Sequence, residues 1–361
     1  MNTNMMQALR LYAPGVAKVE QAPVPDIGDD EILIRVLGAG ICGSDIRIMH
    51  GAETEWSEPE ETRFIQTPAI PGHEFYGEVV TSGKNRAQYR PGELLVAEQI
   101  VPCNECRFCR HGHYWMCKNS DMYGFRHDTT GGFAQYMKLH KRSLIHRIPE
   151  NFTMEQATLI EPYACAMHAV ERGRIKHNEV VVVSGMGTIG LAMVSMVYQH
   201  QPKIIIALDL RQNRLDLAKK FGADVTINPN NCDVVAEIHR MTEDYGCDVY
   251  IEASGSPISV NQGLKSIRNL GKYVQFGAYN TDILANWNLI GDEKELDLYG
   301  SHLGPYCYGA VIAGIQNGTI PTEGVVTHKF MLEDWEKAYY TAQYDETAIK
   351  VIFTPNGAQQ S

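Results

Sequence analysis

Short apolar runs broken by Gly and Pro dominate the first 150 residues. EILIRVLGAG (31–40), GEVVTSG (77–83), LLVAEQIV (94–101), GFAQYMKL (132–139) and SLIHRIP (143–149) have the length and composition of strands and predict a β-rich domain. AETEWSEPEE (52–61) is acidic and aperiodic and is predicted to be an exposed loop. The pattern changes near residue 155, where MEQATLIEPYACAMHAVER places its apolar residues at helical spacing. Strands and helices then alternate. Strands are predicted at 180–184 (VVVVS), 204–209 (IIIALD), 225–227 (VTI), 248–254 (DVYIEAS), 272–277 (KYVQFG) and 295–301 (ELDLYGS). The helices between them start at Thr188 or cover 211–221, 233–240 and 258–268. Nearly continuous apolar strands alternating with helices predict a doubly wound parallel sheet, covered on both faces. The tail predicts a helix over 306–317, a strand VTHKFML (326–332), a helix near 334–343 and a strand IKVIF (349–353). There is no internal repeat and no low-complexity tract.

With 361 residues the chain is long enough for two domains with sizeable cores. A net charge of −11 argues against a nucleic-acid partner. No apolar run reaches the roughly 18 residues of a membrane span. The N-terminus lacks the basic end and apolar core of a secretory signal. Nine cysteines, an odd number in a chain of this length, do not suggest a disulfide framework. They are read as reduced, in a cytoplasmic protein, and partly committed to metal.

The turn after VVVVS reads Gly185-Met186-Gly187-Thr188-Ile189-Gly190. A glycine fingerprint between a buried strand and a helix predicts a dinucleotide site. Its first glycine makes the turn, the second admits the pyrophosphate and the third lets helix pack on strand. The helix N-terminus offers N–H groups and partial positive charge to the phosphates. Asp209 ends the next strand, 19 residues after Gly190. A carboxylate there accepts hydrogen bonds from a ribose and repels a 2′-phosphate, which favours NAD over NADP. Arg214 is a candidate for contact with the adenosine phosphates, although a solvated helix face explains it nearly as well.

Cys103, Cys106, Cys109 and Cys117 form a C-x2-C-x2-C-x7-C cluster. Thiolates at this spacing can converge on one tetrahedral metal, for which Zn²⁺ is the usual occupant. An iron–sulfur electron-transfer protein is the competing class, but the bacterial ferredoxin run closes with x3 and then Pro. Upstream lie Cys42-Gly43-Ser44-Asp45 and Gly72-His73-Glu74, and Glu161-Pro162 opens the linking helix. Taken singly, Cys42 reads as a small buried apolar residue, His73 as a satisfied histidine and Glu161 as a first-turn helix acid. Together they make a plausible catalytic zinc set with an open fourth position.

The order of these motifs resembles that of the zinc-dependent medium-chain alcohol dehydrogenases, over nearly the whole chain. The resemblance implies a GroES-like β-rich catalytic domain (1–159 and 304–361) around an inserted Rossmann domain (160–303), with the active site in the cleft between them. It implies two zinc ions per subunit. Cys103, Cys106, Cys109 and Cys117 would hold a structural one in a lobe at about 100–118. Cys42 and His73 would hold the catalytic one with a glutamate. Glu74 and Glu161 both match family glutamates near zinc, and which of them ligates stays open. Glu161-Pro162 is similar to the sorbitol dehydrogenase branch. Ser44 matches the family's proton relay, and Asp45 an aspartate that supports the zinc site. The implied reaction is hydride transfer from a small polyol to NAD, in a homodimer or homotetramer.

Two departures bear on substrate and proton exit. Arg47 stands where many relatives carry a histidine, which leaves His50, water or Glu161 as routes for the proton. Arg47 is itself a candidate for the cofactor phosphates. Ser301-His302-Leu303-Gly304 replaces the aromatic–Arg–Tyr run of sorbitol dehydrogenases. Residues 291–308 instead resemble the corresponding stretch of bacterial erythritol/threitol dehydrogenases, which implies a four-carbon polyol. The alternative is an amino-alcohol enzyme of the L-threonine 3-dehydrogenase type.

Overall fold

In a computed structural model the described residues are 4–56 and 63–357. They divide into two compact units, Met1–Glu161 with Val325–Ser361, and Pro162–Gly324.

The first unit contains strands β1 (Met5–Ala13), β2 (Val16–Pro23), β3 (Ile32–Gly40), β4 (Glu74–Ser82), β5 (Leu94–Ala97), β6 (Ile100–Val101), β7 (Asp121–Met122), β8 (Tyr136–Leu139) and β9 (Ile145–Ile148). Its helices are α1 (Gly43–Met49), α2 (Glu53–Trp56), α3 (Arg107–Arg110) and α4 (Met154–Thr158). A further helix, α5 (Ile160–Arg172), starts here and continues into the second unit. The second unit holds β10 (Val180–Ser184), α6 (Thr188–Tyr198), β11 (Ile204–Leu208), α7 (Gln212–Lys220), β12 (Val225–Ile227) and α8 (Val234–Met241). It continues with β13 (Cys247–Glu252), α9 (Pro257–Ser266), β14 (Ile267–Gln275), β15 (Asp297–Gly300) and α10 (Tyr308–Gln316). The chain then returns to the first unit as β16 (Val326–Phe330), α11 (Trp335–Tyr344) and β17 (Lys350–Phe353).

The main sheet of the first unit runs β16-β17-β3-β4-β5-β9, with β8 also on β3. β17 pairs antiparallel with the end of β3, Ile352 opposite Gly40, so the C-terminal strand sits beside the segment that leads into Cys42. One face of the sheet buries Ile32, Ile34, Val36, Phe75, Leu95, Phe133 and Phe353 in a single core. Burying side chains of this size contributes about 1.5–3 kcal/mol each.

The second unit is a parallel sheet ordered β12-β11-β10-β13-β14-β15. Numbered within the unit this is 3-2-1-4-5-6, the Rossmann order, and its direction reverses between β10 and β13. β10 is wholly buried, as its uninterrupted valines require.

Some sequence expectations need correction. LLVAEQIV is two strands, because the chain breaks at Glu98 and Gln99, whose side chains are buried. The acidic stretch at 52–61 is not all loop. Glu53–Trp56 is a short helix with Glu55 buried, and residues 57–61 fall outside the described residues. The β1–β2 hairpin was not read from the sequence, because β1 is only partly covered and mixes polar with apolar positions. The chain returns to the first unit at Val325, later than the expected 304. Residues 304–321 stay with the second unit, where Tyr163 donates to the Pro321 carbonyl at 3.0 Å and α10 packs its buried face. Among the described residues no helix is long and apolar enough to cross a membrane.

Candidate active site

Three elements of the first unit deliver the catalytic candidates. Cys42 is the N-cap of α1, just past β3, and Ser44 and Asp45 lie in that helix's first turn. His73 immediately precedes β4 and Glu74 opens it, where Glu74 is the register partner of Gly40. Glu161 lies in the first turn of α5. The donor atoms of Cys42, His73 and Glu74 come within 4.8 Å of one another.

Asp45 lies beside two of these groups. Its Oδ2 accepts from the Cys42 N–H at 2.9 Å, while Oδ1 faces His73 Nδ1 at 3.9 Å. That distance exceeds a hydrogen bond, and both facing atoms are buried without a hydrogen-bond partner. A buried carboxylate oxygen and imidazole nitrogen left unmatched are costly unless something completes the site. On the ring's other side, His73 Nε2 is 3.5 Å from Ser44 Oγ. Burial opposes charge on His73, yet Asp45, Cys42 and Glu161 outweigh it and raise its proton affinity to about 10. Burial raises the Asp45 carboxyl, partly offset by His73. Anionic groups thus converge on a position that wants a cation. A divalent metal satisfies them with neutral imidazole as ligand, so the residues fit a metal.

Both glutamates are held by donors. Glu74 Oε2 accepts from Lys350 Nζ at 2.6 Å, and both side chains are buried. Lys350 also donates to the Ile41 carbonyl at 3.1 Å. Burial works against its charge, but Glu74 and Cys42 hold the ammonium above the ordinary lysine range. Glu161 accepts from Gln99 Nε2. Neither Lys350 nor Gln99 stands out in the sequence, since each partner is far along the chain. Arg47, considered for the cofactor phosphates, instead pairs with Glu55 at 3.4 Å. His50 Nε2 lies 2.5 Å from Gln343 Oε1.

The four-cysteine lobe is already metal-shaped. Its sulfurs are separated by 3.4 Å (Cys103–Cys117), 3.6 Å (Cys106–Cys109), 3.8 Å (Cys106–Cys117) and 3.9 Å (Cys103–Cys109). A tetrahedral zinc with Zn–S bonds of about 2.3 Å needs edges of about 3.8 Å. A backbone hydrogen bond from Cys109 pulls Cys106 down to about 6, while burial pushes Cys117 up to about 12. Without a cation, four crowded thiols cannot all ionise. Tyr114, within the lobe, donates to buried Glu98 at 2.7 Å and anchors it to the β5–β6 break.

In the second unit the glycine fingerprint sits at the β10–β13 reversal. Gly185 has φ +96°, and a Cβ there would collide with the Ser254 backbone. A Cβ on Gly190 would overlap the Gly185 carbonyl, so helix and strand could not approach. Gly187 faces open space, with Arg214 the nearest side chain at 4.0 Å, which is the room a pyrophosphate needs. Asp209 Oδ2 accepts from the Met186 N–H at 2.7 Å and Oδ1 from the Arg211 N–H at 2.8 Å. An ionised carboxylate has about four acceptor sites, so capacity for a ribose remains. Arg214 stands 4.0 Å from Asp209. Gly185, Gly187, Asp209 and Arg214 all line a cavity of about 580 Å³, which therefore fits a nucleotide. Thr188 and Ile189 form the first turn of α6 beneath it. Glu252, which nothing in its sequence context singles out, is a fully buried carboxylate that accepts from Ser254 N at 2.9 Å and Tyr279 Oη at 2.7 Å and so shapes the facing wall.

Comparison with known proteins bears on the fold and the family. Residues 28–150 match the alcohol dehydrogenase GroES-like domain, and residues 188–316 match the zinc-binding dehydrogenase domain. An erythritol/L-threitol dehydrogenase of Mycolicibacterium smegmatis is 40% identical over 97% of this chain and 98% of its own. An L-threonine 3-dehydrogenase of Pyrococcus horikoshii is 33% identical over 96% and 98%. A solved zinc-binding dehydrogenase of Sinorhizobium meliloti 1021, bound to NADP, superposes with TM-score 0.89 at 26% identity, covering 98% of this chain and all of that one. The fold, the two cysteine-bearing clusters and the full-length similarity lead to one conclusion: this chain belongs to the zinc-dependent medium-chain dehydrogenases that act on alcohols and polyols.

Proposed function

We propose that this enzyme oxidises a secondary hydroxyl of a small polyol, with a tetritol such as erythritol or threitol favoured, and reduces NAD. The observation that carries the reading is the convergence of Cys42, His73 and Glu74 beside the unmatched Asp45–His73 pair. The full-length similarity to an erythritol/L-threitol dehydrogenase supports the substrate class. When bound, zinc supplies Lewis acidity to the substrate hydroxyl, and the nicotinamide accepts the hydride.

The chain's own residues do the rest. Cys42, His73 and Glu74 hold the catalytic metal, and Glu161, kept in place by Gln99, is the second carboxylate available to it. Asp45 orients His73 and fixes the backbone of Cys42. Ser44 relays the substrate's hydroxyl proton, its Oγ accepting that proton while its own O–H proton passes to water, on the side of His73 that Nε2 faces. Cys103, Cys106, Cys109 and Cys117 hold a structural zinc, closed to substrate because all four positions are thiolates.

Asp209 favours NAD, since its carboxylate would repel a 2′-phosphate. A relative bound to NADP makes this choice one to measure. The enzyme is read as cytoplasmic and as a homodimer or homotetramer. Among the described residues β15 is an edge strand, and with Leu298 and Trp287 exposed it offers one surface for self-association. The second reading is an amino-alcohol dehydrogenase, favoured by the similarity to an L-threonine 3-dehydrogenase.

Metal analysis of purified protein with a Cys42→Ala variant tests the assignment. The variant is expected to stay folded, to lose one zinc and to lose roughly 10³-fold or more in kcat/KM. Full activity in Cys42→Ala, or a brown protein containing iron and sulfide, would refute it.

A further inference from the structure

A third group of metal-type donors lies in the second unit, apart from both clusters above. His168 and Glu171 sit three residues apart on α5 and share a face. Ala164, one turn earlier, lies on the same face. The turn at 303–306 presses onto it, and a Cβ on Gly304 would overlap the Ala164 backbone. On either side of that glycine contact, Leu303 (φ 56°) and Tyr306 (φ 62°) hold left-handed backbone, which is costly for large side chains. The effect is to deliver Cys307, buried at the N-cap of α10, with its Sγ 3.9 Å from Glu171 Oε2. The donor atoms of His168, Glu171 and Cys307 then all lie within 4.8 Å of one another.

We propose that His168, Glu171 and Cys307 form a third metal site that takes Zn²⁺. Imidazole, carboxylate and thiolate are the donor set of a borderline divalent cation, with a fourth position left for water. A neutral imidazole at His168 can ligate at pH 7. The site joins the first helix of the second unit to its last. It binds more weakly than the four-thiolate lobe, because it has one thiolate and Glu171 is an exposed residue. It is therefore an exchangeable site that responds to free zinc.

The test is zinc per chain, measured by mass spectrometry after equilibration against graded free zinc, together with the thermal midpoint. The full-length protein is compared with Glu171→Gln and Cys307→Ser. Wild type is expected to take up one equivalent more than either variant. That equivalent raises its midpoint, and neither variant shows the rise. Glu171→Gln should weaken this step by roughly tenfold or more. Glu171 is exposed, so this variant keeps the test decisive if Cys307→Ser does not fold. The proposal is overturned if wild type takes up no additional zinc, or if Glu171→Gln retains the additional equivalent unchanged. The readout is a difference of one equivalent, so it stands or falls separately from the catalytic assignment.

Discussion

At the scale of single residues, the first unit buries four ionisable groups together. Asp45, Glu74, Glu161 and Lys350 are all at least 95% buried around Cys42 and His73. Burial on this scale is sustained only by pairing. In metal-free protein, Lys350→Met leaves the Glu74 carboxylate buried without a cation, so unfolding free energy should fall by about 3–5 kcal/mol. The double variant Glu74→Gln/Lys350→Met should recover much of that loss. A denaturant-melt cycle checks this, and additive single losses would show that the pair is uncoupled. Asp209 makes a separate argument in the second unit. Its two backbone bonds hold the glycine turn, and its charge faces the nucleotide cavity. Asp209→Gly should shift the NAD:NADP ratio of kcat/KM toward NADP by at least about tenfold, an expectation that follows from removing the repulsion of the 2′-phosphate. An unchanged ratio would mean that Asp209 only supports the turn.

At the scale of elements, the four-cysteine lobe is a small irregular segment with little core of its own. Of its four cysteines only Cys117 is buried. Such a segment depends on its cross-link for order. Cys103→Ala should lower the thermal midpoint and remove one zinc while leaving residual turnover. An inactive protein of wild-type stability would contradict this division of roles. What could be read from the sequence follows the same physics. β10, β11 and α6 were legible because their residues are buried on nearly every side and appear as unbroken apolar runs. The glycine turn and the cysteine lobe were legible because their functional residues are contiguous. Lys350 was not. A lysine at the start of an apolar strand reads as a solvated end, and its partner Glu74 is 276 positions away. Glu252 and Gln99 were missed for the same reason, since their roles come from burial and not from spacing. Cys307 gave no signal either, because only the turn at 303–306 brings it to α5.

At the scale of the whole molecule, the chain leaves its β-rich unit once and returns with β16 and β17, which complete the first sheet beside β3. The tail is thus part of the catalytic unit, and it brings Lys350 to Glu74. Each unit carries one half of the proposed reaction, metal chemistry in the first and nucleotide binding in the second. The measurement that tests this account most directly is NADH formation on erythritol, the threitols, pentitols, sorbitol and L-threonine, with NADP run in parallel. The account predicts the highest kcat/KM on a tetritol with NAD. It is contradicted if no polyol is oxidised, or if L-threonine exceeds every polyol.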